Sequence, residues 1–267
     1  MLFDTELERD GFQQRSVVRH HGPAQTRTTD RVVEEMPVAL VFNGVSQAVM
    51  MATPRDLEVF ALGFALSEGV VERRDDIYDL ALRQNGDSAE VELTICQQAF
   101  MRLKERRRTL AGRSGCGVCG VDSLAQLDLQ PPRISAPALG QAPAPAVARA
   151  AGELAQHQLL MQATGGVHAA AWCRPDGAIV RVFEDVGRHN ALDKLIGHLA
   201  RQGEDMRRGF VFLSSRASYE LVRKAARMDI PMLATISAPS TLAIDIAERA
   251  GIALVSFCRE DGCVQYA

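Results

Sequence analysis

Gly209-Phe210-Val211-Phe212-Leu213 opens the stretch that decides the fold, followed by Pro231-Met232-Leu233-Ala234-Thr235-Ile236 and Ile252-Ala253-Leu254-Val255-Ser256-Phe257. Each is an almost unbroken apolar run of strand length. Between them, 218–228 and 240–250 repeat apolar residues at helical spacing. Strands that do not alternate with polar residues are covered on both faces, so the pattern predicts a largely parallel sheet between layers of helices. Gly251 stands where a helix should stop. Upstream, 168–173 and 178–183 predict two more strands turned by Pro175-Asp176-Gly177. A helix then follows 184–190 and carries Leu192, Leu195, Ile196 and Leu199 on one face. Asn190 and Asp193 have the spacing of a capping box at its start.

The first half reads as a smaller α+β unit. Val38 to Phe42 and Val45 to Met51 flank Asn43-Gly44, a pair that accepts the positive φ angles of a tight hairpin. Thr53-Pro54-Arg55-Asp56 predicts a helix start, with Thr53 as N-cap and Pro54 in the first turn. That helix should run to about Ser67 and stop at Gly69, its Leu57, Phe60, Ala61, Phe64 and Ala65 forming a core stripe. A second hairpin, 77–83 with 89–96, turns at Asn85-Gly86-Asp87. Cys96 at its end is expected to be buried, and 97–108 to be helical. Residues 1–30 show no sustained periodicity and read as a partly ordered arm. Five prolines between 131 and 145 mark a linker, and a helix over 147–162 opens the second domain. The expected organisation is an arm over 1–30, an N-terminal domain over 31–130, a linker over 131–146 and an α/β domain over 147–267.

One stretch belongs to neither hairpin nor helix. Gly112-Arg113-Ser114-Gly115-Cys116-Gly117-Val118-Cys119-Gly120 places two thiols three positions apart among glycines, which predicts an exposed loop. Arg102, Lys104, Arg106, Arg107, Arg108 and Arg113 bring positive charge beside it, and nearby cations favour thiolate over thiol. The same spacing serves as half of a structural zinc site, which needs two more ligands. Cys258 with Cys263, or His168 with Cys173, are the residues available to complete one. A thioredoxin-like dithiol opens a helix, and Gly117 and Gly120 disfavour helix here.

Composition narrows the class. With 267 residues, a net charge of −3 and a pI near 6.1, the chain offers no global field for nucleic acid. Neither a basic, apolar leader nor a run of about 18 apolar residues is present, so a soluble cytoplasmic protein with reduced cysteines is expected. Polar residues gather where strands end: Glu184 to Asn190, Ser214-Ser215-Arg216, Ser237-Ala238-Pro239-Ser240 and the turn after Phe257. Carboxyl ends of strands in an open α/β sheet form the usual ligand crevice, and helix N-termini there suit phosphates. Arg188 and Arg216 are placed to add charge, and Asp185 or Glu184 to accept hydrogen bonds from a guanine edge or sugar. Equally, these are the caps and turns any such sheet requires. His168 and His189 are candidates for chemistry, with His189 able to pair with Asp185.

Taken together, Glu35-Met36-Pro37, Asn43-Gly44, Gly63-Phe64 to Glu68-Gly69, the Cys-x-x-Cys loop, Thr164-Gly165-Gly166-Val167-His168, Glu184 to Asn190 with Asp193-Lys194, and Ser237-Ala238-Pro239 resemble the formate dehydrogenase accessory sulfurtransferase (FdhD) family. The resemblance spans about residues 30–260. Ser214-Ser215-Arg216-Ala217-Ser218 departs from the Ser-Gly-Arg-x-Ser of many members. The resemblance implies a homodimeric sulfur carrier, built as a small N-terminal α+β roll followed by a cytidine deaminase-like three-layer α/β domain. It implies that Cys116 carries a persulfide received from a cysteine desulfurase, with Cys119 as its partner. The sulfur would pass to Mo-bis(molybdopterin guanine dinucleotide), or its tungsten counterpart, destined for the catalytic subunit of formate dehydrogenase. Phe257, Cys258, Arg259, Glu260, Asp261 and Gly262 match a cofactor-binding segment, joined by Arg216, Ser237, Arg188 and His189 as expected contacts, with GDP as a mimic. No metal ligands are implied. Deamination is not, because His168-Ala169-Ala170 lacks the His-x-Glu acid and no Pro-Cys-x-x-Cys follows. A zinc-dependent structural module and a cofactor chaperone with incidental thiols are the alternatives.

Overall fold

The structure is a computed structural model that describes residues 10–108, 131–135 and 144–267, so Cys116, Cys119 and the loop around them lie outside the described residues. The described elements begin with β1 (Phe12–His21) and β2 (Ala24–Val33), a two-stranded antiparallel ribbon, where the sequence predicts a partly ordered arm with no sustained periodicity. The ribbon's residues are mostly exposed and polar, so no burial pattern announces it. Then come β3 (Met36–Phe42), β4 (Val45–Ala52), α1 (Leu57–Ser67), β5 (Ile77–Asn85), β6 (Ser88–Ile95) and α2 (Gln97–Arg108). Asn43 and Gly44 take positive φ, as the β3–β4 turn requires. These strands form a sheet in the order β4-β3-β6-β5, with β3 and β6 parallel. Cys96 is only partly buried.

The second half contains α3 (Ala144–His157), α4 (Leu159–Thr164), β7 (His168–Cys173), β8 (Ile179–Asp185), α5 (Arg188–Gln202), β9 (Phe210–Leu213), α6 (Tyr219–Arg227), β10 (Met232–Thr235), α7 (Thr241–Ala250), β11 (Ala253–Arg259) and β12 (Gly262–Gln265). The single helix expected over 147–162 is two, broken at Gln158, whose backbone (φ −92, ψ 69) is not helical. The sheet order is β12-β11-β10-β9-β7-β8. Only the central β9, β10 and β11 are parallel. From β9 to β11, runs joined by a helix became parallel neighbours, whereas β8 and β9, joined by α5, are separated by β7. The runs joined by short turns, β7 to β8 and β11 to β12, became antiparallel edges.

Alternate strand residues separate the core. Ala171, Cys173, Phe210, Phe212, Met232, Ala234, Ala253 and Val255 pack under α3 with Val147, Ala150 and Leu154. On the other face Ala170, Trp172, Val211, Leu213, Leu233 and Leu254 meet α5, α6 and α7. That second cluster continues through α1 and α2 into β3 and β6, so one apolar core joins both sheets.

Two glycines permit the junction. A Cβ on Gly63 of α1 would lie 1.8 Å from the Asp193 carbonyl oxygen, and one on Gly197 of α5 would lie 1.9 Å from the Val59 carbonyl oxygen. The helices therefore cross backbone on backbone. Buried charge brackets the crossing. On one side Lys194 Nζ lies 2.7 Å from Asp185 Oδ2, with both side chains fully buried. Asp185 also accepts from Thr53 N at 3.0 Å, Gly187 N at 2.8 Å and Asn190 Nδ2 at 2.8 Å. Lys194 donates to the Thr53 carbonyl at 3.1 Å, and Val186 N donates to Thr53 Oγ1 at 3.2 Å. Thr53 is thus a bridge between the halves and not the N-cap of α1. The cap is Asp56, in the left-handed region (φ 54). Asn190 bonds Asp185 and the Met51 carbonyl, so it forms no capping box with Asp193.

On the other side Lys224 Nζ lies 2.8 Å from both Asp193 carboxylate oxygens, from Glu68 Oε1 and from Ser67 Oγ. Burial disfavours the Lys224 ammonium, but Asp193 and Glu68 outweigh it and raise its pKa. Burial likewise pushes Glu68 up, yet Lys224 and Arg223 hold it at about 2.

Gly63→Ala or Gly197→Ala should destabilise the protein by about 3 kcal/mol, the upper range for overpacking, because backbone and not a flexible side chain occupies the space. Urea denaturation measures this. The Glu68 contribution has a depressed folded-state pKa, so it is present above about pH 4.5 and lost as pH falls toward about 2. Stability measured across that window should therefore fall less steeply in Glu68→Gln than in the unaltered protein.

Candidate functional site

The expected crevice lies at the carboxyl ends of β9, β10 and β11. Ser214 Oγ accepts from Ala169 N at 2.8 Å, and Ser214 N donates to the Ala169 carbonyl at 3.0 Å, fixing the loop after β9 to β7. Ala217 N donates to the Ala238 carbonyl at 3.2 Å and Ser240 N to the Ala217 carbonyl at 3.0 Å, so the loops after β9 and β10 move as one. Ser240 caps α7 by accepting from Ala243 N at 3.2 Å. Arg259 Nη1 donates to the Ile236 carbonyl at 2.7 Å and to the Cys258 carbonyl at 2.8 Å, which ties the end of β11 to the β10 loop. Arg216, Ser237, Phe257 and Arg259 are thereby gathered at one edge, with Arg216 exposed and Ser237 partly so.

Phe257 carries the unusual geometry. Between the pairs Ser256↔Val264 and Arg259↔Gly262 the register shifts, so Phe257 and Cys258 together oppose Cys263. Phe257 takes φ 53, a left-handed conformation rare for an aromatic residue, and is 45% exposed. The bulge throws its ring outward and turns Cys258 inward. Cys258 is buried in the core under α3, leaving only its backbone toward the edge. Glu260 stands over Gly152 of α3, on the face opposite α6 and α7, and with Asp261 forms the turn that leads into the exposed Gly262 of β12.

The acids at the end of β8 do not face the crevice as the sequence suggests. Asp185 is fully buried in the junction, pairs with Lys194 and has no bond to His189. Glu184 accepts from Leu160 N at 2.7 Å and Met161 N at 2.8 Å, holding the start of α4. His189 instead meets Glu220 on α6, its Nε2 standing 3.8 Å from Oε2, with side-chain exposures of 15% and 14%. These two atoms and Ser218 Oγ are buried and lack a hydrogen-bond partner of normal length among the described residues. Burial pushes the Glu220 carboxyl up, but the nearness of His189 and Ser218 outweighs it and holds the pKa at about 2. The group is an ionised carboxylate against an imidazole, suited to orient that ring or to fix its proton. Arg188 lies partly buried beside it. His168 opens β7 nearby, its pKa lowered by burial and then by Arg188. Nothing in the sequence pairs residue 220 with residue 189, since 31 positions and a strand separate them.

Among the described residues, no group of three or more His, Cys, Asp or Glu side chains is placed to hold a metal ion, and no helix is long and apolar enough to cross a membrane.

Residues 33–267 match the FdhD/NarQ family. The chain is 61% identical over 264 residues to the sulfur carrier protein FdhD of Chromobacterium violaceum, covering 98% of each. It is 59% identical over 271 residues to the Burkholderia mallei protein of the same name, covering 100% of this chain and 99% of that one. A crystal structure of a putative formate dehydrogenase accessory protein from Desulfotalea psychrophila shares the fold, with TM-score 0.69, 20% identity and coverage of 95% and 96%.

Phe257→Gly should be more stable than Phe257→Ala by about 1 kcal/mol, because alanine keeps the left-handed strain that glycine relieves. Thermal and urea unfolding of the two variants would decide this, and equal stabilities would remove the strain argument.

Proposed function

The chain belongs to the FdhD/NarQ family, and on that premise we propose that it is a sulfur carrier required for formate dehydrogenase activity. The observation that carries this reading is its full-length likeness to bacterial sulfur carrier proteins. In the proposed first step the Cys116 thiolate attacks the terminal sulfur of a persulfide on a cysteine desulfurase. The sulfur–sulfur bond breaks, its electron pair stays on the desulfurase cysteine, and Cys116 becomes the persulfide. Cys119 shields or resolves it. The choice of Cys116 follows the family resemblance, and the arginine-rich segment before the loop supports thiolate at either position.

The sulfur is then delivered to Mo-bis(molybdopterin guanine dinucleotide), or its tungsten counterpart, as substrate. Support for a dinucleotide comes from the crevice: an outward aromatic ring at Phe257 offers a stacking face for a base, with Arg216 and the α7 N-terminus within the same loop system. Gly262 leaves open space beside its backbone. Arg188 and His189 stand at the α5 side of the same edge, where His189 faces the Glu220 carboxylate. As the resemblance implies, the proposed carrier is a cytoplasmic homodimer that meets the desulfurase and the formate dehydrogenase catalytic subunit. Its three-layer half would then be cytidine deaminase-like in shape without the deaminase zinc set.

Incubation with cysteine and a desulfurase should add one sulfur atom to Cys116, seen by mass spectrometry, and Cys116→Ala should abolish formate dehydrogenase activation while the fold persists. Full activation by Cys116→Ala would instead favour a cofactor chaperone with incidental thiols. GDP at a hundred times its dissociation constant should raise the melting temperature by about 2 to 4 °C. Arg216→Ala should weaken that binding by about 1.5 to 3 kcal/mol, the worth of a charge-assisted bond. Absence of any shift with millimolar GDP, or an equal shift with ATP, would remove the guanine dinucleotide from the reading.

A further inference from the structure

Cys258 and Cys263 occupy facing positions in the hairpin at the edge of the six-stranded sheet. The turn between β11 and β12 holds only Glu260 and Asp261, Arg259 pairs with Gly262, and the next residue of β12, Cys263, opposes the bulged pair Phe257 and Cys258. Phe257 is turned out. Cys258 is 1% exposed in the core under α3, and Cys263, partly buried, packs against that same core, so both sulfurs lie on one face of the hairpin. The regular pairs on either side of the bulge, Ser256 with Val264 and Arg259 with Gly262, hold the two strands about 4.5 to 5.5 Å apart, inside the span of about 4.4 to 6.8 Å that a disulfide bridges. Both thiols are free.

We propose that Cys258 and Cys263 form a redox-modifiable dithiol that closes to a disulfide under hydrogen peroxide and staples β12 to β11. Cys263, the more accessible of the two, reacts first: its sulfur attacks one peroxide oxygen, the oxygen–oxygen bond breaks and one water leaves, giving the sulfenic acid. Cys258 sulfur then attacks Cys263 sulfur, the sulfur–oxygen bond breaks and the second water leaves. The two thiols lose two electrons and two hydrogens, and the peroxide gains them. Burial pushes the Cys258 thiol up to about 12, so Cys263 and not Cys258 meets the peroxide, and Cys258 enters only the second step, where it is held beside the sulfenic acid and loses its proton as it attacks.

The staple would act on a defined element. Among the described residues β12 pairs with β11 alone, and the bulge it fixes is the one that turns Phe257 outward. This inference stands whether or not a nucleotide binds there. It is tested on the full chain carrying Cys116→Ser and Cys119→Ser, which removes the carrier thiols from the measurement. After peroxide treatment and alkylation of remaining thiols, peptide mapping should show residues 258 and 263 linked with loss of two hydrogens, reversed by dithiothreitol. Hydrogen exchange of the β12 amides should slow by at least about fivefold, because a cross-link opposes local opening. Cys263→Ser, at the partly exposed position, should keep the reduced protein's circular dichroism and lose both effects. The proposal is overturned if Cys263 advances to sulfinic acid with Cys258 still alkylated, if Cys258 or Cys263 links to Cys96 or Cys173 instead, or if the exchange of β12 is unchanged in the linked form.

Discussion

The crossing of α1 over α5 at Gly63 and Gly197 is the constraint on which the rest depends. With no side chain between the two backbones, the first sheet and its helices come close enough to share a core with the second. The same closeness leaves no route for water, so every polar group near the crossing has to find a partner within the protein. Thr53, Asp185, Asn190 and Lys194 answer this on one side, and Ser67, Glu68, Asp193 and Lys224 on the other. Removing one member of such a buried set leaves an uncompensated charge, at a cost of about 3 to 5 kcal/mol. Orientation is specified as much as stability: the halves fit only in the register that pairs both lysines.

This arrangement positions the crevice without taking part in it. Asp185 and Lys194 fix the start of α5, and Arg188 and His189 sit within its first turn. The ladder from Ala169 through Ser214, Ala217 and Ala238 to Ser240 then sets the other loops relative to that start. The loops at this edge are thus held by backbone hydrogen bonds to the strands, and Arg216 and the Phe257 ring stand exposed on them. Asp185, Asp193 and Lys194 of the buried sets and Arg188 and His189 at the start of α5 come from one short segment, 184–194, which explains its run of polar residues in an otherwise apolar half.

The periodic elements were legible because burial writes itself into sequence. The three parallel strands, the α5 stripe and both Asn-Gly-type turns stand where spacing puts them. The ribbon β1–β2 was not, since an exposed ribbon has no core face to impose alternation. Thr53 reads as a cap by local chemistry, and only a carboxylate 132 positions away turns it into a bridge. Asp185 looks like a ligand acid for the same reason: a charged residue at a strand end gives no local sign of a buried lysine waiting across the fold. His189 was marked by its neighbourhood, while Glu220, its actual partner, was hidden in a helix start. Phe257 was marked by resemblance, and its left-handed backbone could be learned only from the register shift beside it.

The junction also carries an implication for synthesis on the ribosome. Ser67 and Lys224 are separated by 157 positions yet bond directly, so α1 emerges long before the helix that neutralises its acidic end. At about 5 to 20 residues per second, translation leaves that interval open for roughly 8 to 30 seconds. For most of it, until α5 is made, the α1 stripe of Leu57, Phe60, Ala61 and Phe64 has no α5 to cover it, and the glycine that later admits a backbone presents a bare notch. The nascent first half is in that sense a surface for chaperones before it is a domain, and its folding is completed from the C-terminal side.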